Sequence, residues 1–346
     1  TLIITEPVHV AYNGTYVTTP DIAQGKGTVQ AVVELTNESG SGEEVTVKNT
    51  VYEYSSAEGA DPAEPETAVS DTVETKVMLE AGGTVEVTAE PTVSEPKLWS
   101  TDAPNLYIVR TEVYVDGALS DTYDTEFGFR WYSFESGNGF YLNGEAVKLN
   151  GVCMHHDQGA AGAAAYYDAM YRQLASMKEM GVNAIRTSHN PADEDLIDIC
   201  NELGLLVIEE IFDGWVEAKN SNSNDFSRYF NVSLTEDNGV IGGSSFMTWA
   251  EFAAKSVVRR DRNDPSVILW SLCNEVQEGT YWTQVGSYAS IAQNLIDWIK
   301  EEDESRPTTS GDNNRGGDSR LAAVLDTILN NGGVVGFNYA NTAESL

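Results

Sequence analysis

The chain has 346 residues with 20 Lys and Arg against 54 Asp and Glu, a formal net charge of -34, which repels phosphate backbones and anionic membranes and argues against nucleic acid as a partner. The length suits two domains, and a hydrophobic content of 41% lets each bury a core. No apolar run approaches the roughly 20 residues of a membrane span, so no membrane partner is expected. Cys153, Cys200 and Cys273 are odd in number, sit in apolar segments and lack CxxC spacing. They read as buried free thiols and leave the redox compartment open. The opening TLIITEPVHV has neither a basic start nor a cleavage pattern and begins inside a strand-like stretch, so the expectation is a piece of a longer, soluble protein.

From residue 1 to about 130 the pattern has period two, with Gly, Asn and Asp in the turns: VHVAYNGTYV, GTVQAVVELTNES, EEVTVKNTVYEY, ETKVMLEAGGTVEVTAEPTV, LYIVRTEVYVDG. Short alternating strands at this spacing predict an antiparallel β-sandwich. The acidic stretch SSAEGADPAEPETAVSD, about residues 55 to 71, reads as an exposed hairpin loop. Trp99 is expected at the sandwich edge, in an irregular loop bracketed by Pro96 and Pro104. No catalytic constellation appears in this region, which reads as a supporting module.

After Phe127-Gly128-Phe129-Arg130 strands and helices alternate. Strands are predicted over Gly144 to Cys153, Val182 to Arg186, Leu205 to Glu209, Val267 to Leu272 and Val334 to Asn338. Helices are predicted over Tyr166 to Met180, closed by Gly181, Asp193 to Leu203, closed by Gly204, Met247 to Arg260, and about Trp282 to Glu301. Such alternation points to a parallel sheet with right-handed crossovers. GVCMHHDQG is not a Gly-rich phosphate turn, so a barrel is preferred to a doubly wound sheet. Five strands do not close an eight-stranded barrel. The expected division is 1-130 for the sandwich and 131-346 for an incomplete (β/α)8 TIM barrel.

Barrel enzymes build their sites at the C-terminal ends of the strands. The predicted ends carry His155, His156 and Asp157; then Arg186, Ser188, His189 and Asn190; then Glu209, Glu210, Asp213 and Trp215; then Asn274 and Glu275; and finally Asn338 and Tyr339. Imidazoles, carboxylates and amides suit sugar hydroxyls, and Trp215 or Tyr339 could stack on a sugar face. Glu275 ends the apolar run PSVILWSLCNEV, where it reads equally as a general acid or as a cap of the following helix. Arg186 reads as an ion-pair partner for Glu209, Glu210 or Glu275, as a substrate contact, or as both. Glu209 has the alternative of a paired charge inside the barrel layers, and a loop Trp such as Trp215 is as often a packing anchor. His155, His156 and Asp157 lack the HExxH spacing of zinc sites, so no metal is expected.

The ordered motifs NGVCMHHDQGA, MKEMGVNAIRTSHNP, ICNELGLLVIEEIFDGW and RDRNDPSVILWSLCNE resemble the barrel motifs of glycoside hydrolase family 2. The nearest likeness is to the bacterial β-galactosidases, and FGFR with the preceding sandwich is similar to that family's immunoglobulin-like domain. The resemblance implies a soluble bacterial glycosidase, cytoplasmic or secreted, acting on a β-galactoside or related oligosaccharide. It implies Glu275 as the general acid/base and Asn274 as a contact to the sugar's C2 hydroxyl. It further implies His155 and His189 as sugar contacts and Arg186 as support for the carboxylates, with Glu210, Asp157, Asp213, Trp215 and Tyr339 in or beside the same cleft. The family retains anomeric configuration, with a second carboxylate attacking C1. That nucleophile is expected near the end of a seventh strand, past the fifth strand and Leu346 where this chain stops, so the isolated chain is expected to be inactive. Some members bind magnesium through a Glu and a His after the third strand. That loop here reads EEIFDGW, and the expected cofactor is none. Other readings are a β-glucuronidase or β-mannosidase of the same family, or a non-catalytic carbohydrate-binding fragment. The open barrel edges leave room for a homo-oligomer.

Overall fold

A computed structural model describes residues 3–54, 67–222, 224–235, 242–278, 288–313 and 319–340. The predicted acidic loop falls largely on residues 55–66, and the start of the predicted fourth helix on 282–287, both outside the described residues. The chain forms two compact units. The first comprises Thr1–Lys148 with Asn201–Gly204 and Arg262–Pro265, and the second the remaining segments of Leu149–Leu346.

In the first unit two antiparallel sheets form a sandwich. One sheet holds β1 (Val8–Ala23), β2 (Lys26–Asn37), β5 (Thr84–Ala89) and β6 (Thr92–Ser94), and the other β3 (Glu43–Glu53), β4 (Val73–Leu79), β7 (Tyr107–Val115) and β8 (Ala118–Phe127). The strands are long and rich in Val and Thr, which suit a pleated half-buried surface. Period-two alternation turns Val29, Ala31, Val33 and Leu35 of β2 and Val45, Val47 and Val51 of β3 inward. They meet Val8, Val10, Val87 and Val113 at one end, and Tyr107, Phe127 and Phe129 at the other. Trp99, expected at the sandwich edge, is fully buried, and its indole N–H donates to the Asn201 carbonyl at 2.9 Å. A small antiparallel sheet follows, made by β9 (Tyr132–Glu135), β10 (Gly139–Leu142) and β11 (Glu145–Val147).

The second unit is a six-stranded parallel sheet in simple chain order, made by β12 (Gly151–Met154), β13 (Ala184–Thr187), β14 (Leu206–Glu210), β15 (Val267–Asn274), β16 (Thr308–Asp312) and β17 (Gly336–Phe337). It is an incomplete (β/α)8 barrel. The intervening helices are α1 (Tyr167–Glu179), α2 (Glu194–Leu203), the short α3 (Ser227–Phe230), α4 (Trp249–Asp261), α5 (Tyr288–Glu302) and α6 (Ser319–Asn330). Gly181 closes α1 with a left-handed φ of 90°, which lets the Gly181 N–H bond the Lys178 carbonyl and the Val182 N–H the Met177 carbonyl.

Three expectations need correction. The sheet has six strands, not five, because Thr308–Asp312 is a strand, although TTSGD is small and polar and follows Pro307. The strand expected over Gly144 to Cys153 is two elements: β11 pairs antiparallel with β10, and only Gly151–Met154 joins the parallel sheet. Cys153 is exposed rather than buried, while Cys200 and Cys273 are buried.

The sheet is anchored beneath β15 by a buried charge cluster. Asp303 accepts from Trp270 Nε1 at 2.9 Å, Arg306 Nη1 at 2.8 Å, and the Ser305 N–H and hydroxyl at 2.8 and 2.6 Å. Burial opposes ionisation of Asp303, yet Arg306 and these donors hold its pKa down to about 2. Arg306 also donates to the Val267 carbonyl at 2.8 Å, so the cluster ties the α5–β16 turn to the first residue of the central strand.

Candidate active site

Strand β15 is buried at all eight residues, and its apolar body carries Asn274 and Glu275 to the C-terminal edge of the sheet. The ladder continues past the strand, since the Glu275 N–H donates to the Gly311 carbonyl of β16 at 2.8 Å. Glu275 then turns with a φ of 48°. A left-handed conformation costs a non-glycine residue about 1 kcal/mol, and such residues collect at functional sites. The side chain is 5% exposed, and its Oε1 accepts from Asn338 Nδ2, at the end of β17, at 2.6 Å.

Arg186 of β13 and Glu210 of β14 organise the rest of this edge. Glu210 is fully buried, and its carboxylate accepts from Arg186 Nη2 at 2.8 Å, Arg186 Nε at 3.2 Å and the Ser271 hydroxyl at 2.7 Å. His189 Nδ1 lies 2.5 Å from Glu210 Oε1, and the Glu210 N–H donates to Thr187 Oγ1 at 2.8 Å. The Arg186 guanidinium reaches onward to Asn274 Oδ1 at 3.0 Å, which also accepts from Asn338 Nδ2 at 2.8 Å. Side chains of three adjacent strands, β13, β14 and β15, and of the turn after β17 are thus joined in one hydrogen-bonded layer around a buried carboxylate. Buried polar groups of this kind are stable only when satisfied, and the layer holds each head group in one place.

Gly311 of β16 lies under this layer. A Cβ built on it would stand 2.5 Å from Arg186 Nη2 and 3.1 Å from both Asn274 Oδ1 and Asn338 Oδ1. A residue without a Cβ at this position is therefore what the layer requires.

The other candidates take different positions. His155 is exposed, and its ring packs edge to face with His189 at 5.2 Å. Asp213 accepts from Lys219 Nζ at 2.7 Å and meets Asn274 Nδ2 at 3.4 Å, so it borders the layer. Asp157 accepts from the Gly159 N–H at 3.0 Å and shapes its own loop. Tyr339 is 78% exposed, immediately after Asn338. Trp215 does not present a sugar platform. It is 1% exposed, donates its indole N–H to the Leu272 carbonyl at 3.0 Å and stacks on Tyr288 at 5.6 Å, which is the packing role of a loop Trp. Glu209 is buried away from the layer, 3.4 Å from Arg260 Nη2; burial, reinforced by the Asp261 charge, pushes its carboxyl well up. Reading the chain alone does not find Ser271, Thr187 or Gly311, whose residue types are unremarkable at strand positions. Asn338 is visible there only as one of two polar residues after a strand. Among the described residues no group of three or more His, Cys, Asp and Glu side chains converges as a metal site.

The family models for glycosyl hydrolases family 2 match this chain twice: the family 2 model over residues 8–130, and its TIM barrel domain over residues 135–333. The chain belongs to glycosyl hydrolase family 2. One family 2 relative is the Bacteroides ovatus protein named beta-galactosidase BoGH2A, 34% identical over 97% of this chain and 39% of the relative. A putative beta-glucuronidase of Formosa agariphila is 38% identical over 64% of this chain and 19% of its own length. Among solved structures, a glycosyl hydrolase family 2 member from Bacteroides cellulosilyticus superposes with a TM-score of 0.82 at 31% identity, covering 97% of this chain and 38% of that one. The chain spans about two fifths of the length of the Bacteroides ovatus relative. No helix among the described residues is long and apolar enough to cross a membrane.

Proposed function

We propose that this chain carries the acid/base half of the active site of a retaining β-galactosidase, with Glu275 as the general acid that protonates the leaving glycosidic oxygen and then as the base that deprotonates water. The observation that carries this reading is the setting of Glu275. A single carboxyl group, nearly enclosed at the end of a rigid strand, is held by the Asn338 amide beside an amide that Arg186 fixes in turn. Asn274 orients a sugar hydroxyl next to the reacting carbon, His155 and His189 line the cleft, and Asp213, Asp157 and Tyr339 complete its rim. Arg186 and Glu210 act as supports.

Glu210 does not serve as the attacking carboxylate. It is fully buried, and its oxygens are engaged by Arg186, His189 and Ser271, so no face of it is open to a sugar carbon. The covalent step falls to a carboxylate not assigned within this chain, and the chain alone is expected to be nearly inactive. A homo-oligomer is compatible with the reading.

A β-glucuronidase is the second reading, favoured by the Formosa agariphila relative. A glucuronate carboxylate needs a cation. Arg186 and Lys219, which are hydrogen-bonded at this edge, are already paired with Glu210 and Asp213, and that supports a neutral sugar.

The test uses the full-length protein and aryl β-galactosides and β-glucuronides of graded leaving-group basicity. Glu275→Gln is expected to lower kcat/KM by about 10²–10⁴-fold on the poorest leaving group and by much less on the best. Undiminished turnover of the poorly activated galactoside by that variant sinks the assignment, and a preference for the glucuronide moves the specificity to the second reading.

A further inference from the structure

The two carboxylates that end β14 point to opposite faces of the sheet, as successive strand residues do, and they hold the two ends of one loop. That loop, His189 to Asp193, leaves β13 and enters α2. On the site face Glu210 Oε1 meets the His189 ring at Nδ1. On the helix face Glu209 Oε1 accepts from the Ala192 N–H at 3.4 Å. α4 completes the second hold: from its last turn, Arg260 Nη2 donates to the Ala192 carbonyl at 3.0 Å and lies 3.4 Å from Glu209 Oε1. Both backbone polar groups of Ala192 are thus taken up by side chains that stand outside the site layer.

Arg260 is itself fixed. Its Nε and Nη2 pair with the two carboxylate oxygens of Asp261, and Glu209 and Asp261 are both buried. A planar guanidinium held along one edge in this way aims its remaining hydrogen bonds in set directions, which a single ammonium group does not do. The space beside the loop shows why such a hold matters. A cavity of about 30 Å³ lies there, lined by Met154, Met170, Leu196 and Ala192 together with His155 and Thr187. Packing leaves that side of Ala192 unsupported, so the hydrogen bonds decide where the loop stands.

We infer that Arg260 is a positioning residue for His189: by holding the Ala192 peptide groups from the helix side it sets the course of the loop, and with it the imidazole that faces the sugar. The inference rests on His189 being a sugar contact. The Glu210 bond alone does not fix that ring. It grips Nδ1, so a displaced loop swings Nε2, on the far side of the ring, while the Glu210 bond persists. A second point on the same loop removes this freedom, and Ala192 is that point, three residues on from His189. A small misplacement of a group that meets the transition state is costly in rate.

The experiment is a double-mutant cycle on kcat/KM of the full-length protein with an activated aryl β-galactoside, using Arg260→Lys, Arg260→Gln, His189→Asn and the two double variants. Arg260→Lys keeps a cation beside Glu209 and Asp261 but loses the fork, and is expected to lower kcat/KM about tenfold; Arg260→Gln is expected to lower it about 10²-fold. In the His189→Asn background, where no imidazole is left to misplace, each Arg260 change is expected to cost no more than about twofold. A residue that only stabilises the fold would reduce the active fraction by the same factor in both backgrounds. Equal losses with and without His189 therefore overturn the inference, as does undiminished kcat/KM in Arg260→Lys. Melting curves establish that the variants fold, and if Arg260→Gln does not, the Lys variant carries the cycle. If His189→Asn keeps full activity, the reading of His189 as a sugar contact fails; if it loses activity while the Arg260 losses persist in its background, only the role of Arg260 fails.

Discussion

Gly311→Ala tests the arrangement of the site without touching a polar group. The new methyl would stand 2.5 Å from Arg186 Nη2, whereas a comfortable contact is about 3.5 Å, so the guanidinium has to retreat by about 1 Å. It has no slack for this move, because the same nitrogen is held at 2.8 Å from Glu210 Oε2 and 3.0 Å from Asn274 Oδ1. A 1 Å retreat stretches the Asn274 contact past hydrogen-bond range. Losing one hydrogen bond to a charged group costs about 1.5–3 kcal/mol, and overpacking adds roughly 1–3 kcal/mol. Some relaxation of the Arg186 side chain offsets part of this, and the expected net destabilisation is about 2–4 kcal/mol. Asn274 keeps its Asn338 donor but loses Arg186, so turnover should fall by about 10²-fold, the penalty of a 1 Å misplacement. Denaturant unfolding monitored by tryptophan fluorescence gives the first quantity, and kcat/KM of the full-length protein on an aryl β-galactoside the second. Gly40→Ala is the control, because nothing lies within 4 Å of a Cβ there, and it should be near neutral. A Gly311→Ala variant within about 0.5 kcal/mol of the parent, the range of ordinary surface changes, and fully active would refute the claim that β16 is small because the polar layer rests on it.

Further outcomes follow from the same structure. Asp303→Asn removes the buried carboxylate that Arg306 Nη1 bonds at 2.8 Å and should cost about 3–5 kcal/mol in denaturant unfolding. Because the folded pKa of Asp303 is lowered to about 2, its contribution is present above the unfolded value of about 3.9 and is lost as pH falls through the folded one; this part of the acid denaturation, read by circular dichroism, should be absent in Asp303→Asn. Trp215→Phe keeps the aromatic packing on Tyr288 but leaves the Leu272 carbonyl without its donor. It should lower stability by about 1–3 kcal/mol and leave KM for a galactoside unchanged, whereas a sugar platform would show a raised KM.

The legible part of the fold is the part in which periodicity and residue type agree. The sandwich strands alternate Val against Thr, Glu or Lys because one face is buried and the other wet. β15 is legible for the opposite reason, since a run apolar on every side marks a strand covered on both faces. β16 is equally buried along its whole length but consists of Thr308, Thr309, Ser310, Gly311 and Asp312. Gly311 packs against polar head groups of the site layer, and a strand of Thr, Ser, Gly and Asp gives hydrophobic periodicity nothing to report. α6 escapes the sequence for a related reason: without β16 there is no crossover to fill between Asp312 and Gly336.

A similar division runs through the candidate site. Arg186, His189, Glu210, Asn274 and Glu275 stand out as polar residues that end apolar strands, and the structure joins them through hydrogen bonds. Trp215 has the same position in the chain and a different fate, because a loop can turn its tip inward, and only the Leu272 carbonyl and the Tyr288 ring decide that it does. Asn338 shows the limit from the other side. One amide nitrogen donates both to Asn274 and to Glu275, so a residue from the last strand of the sheet fixes the spacing of the pair on the fourth. No local feature of GFNYA announces that, since the role belongs to a distance between strands rather than to a pattern along one.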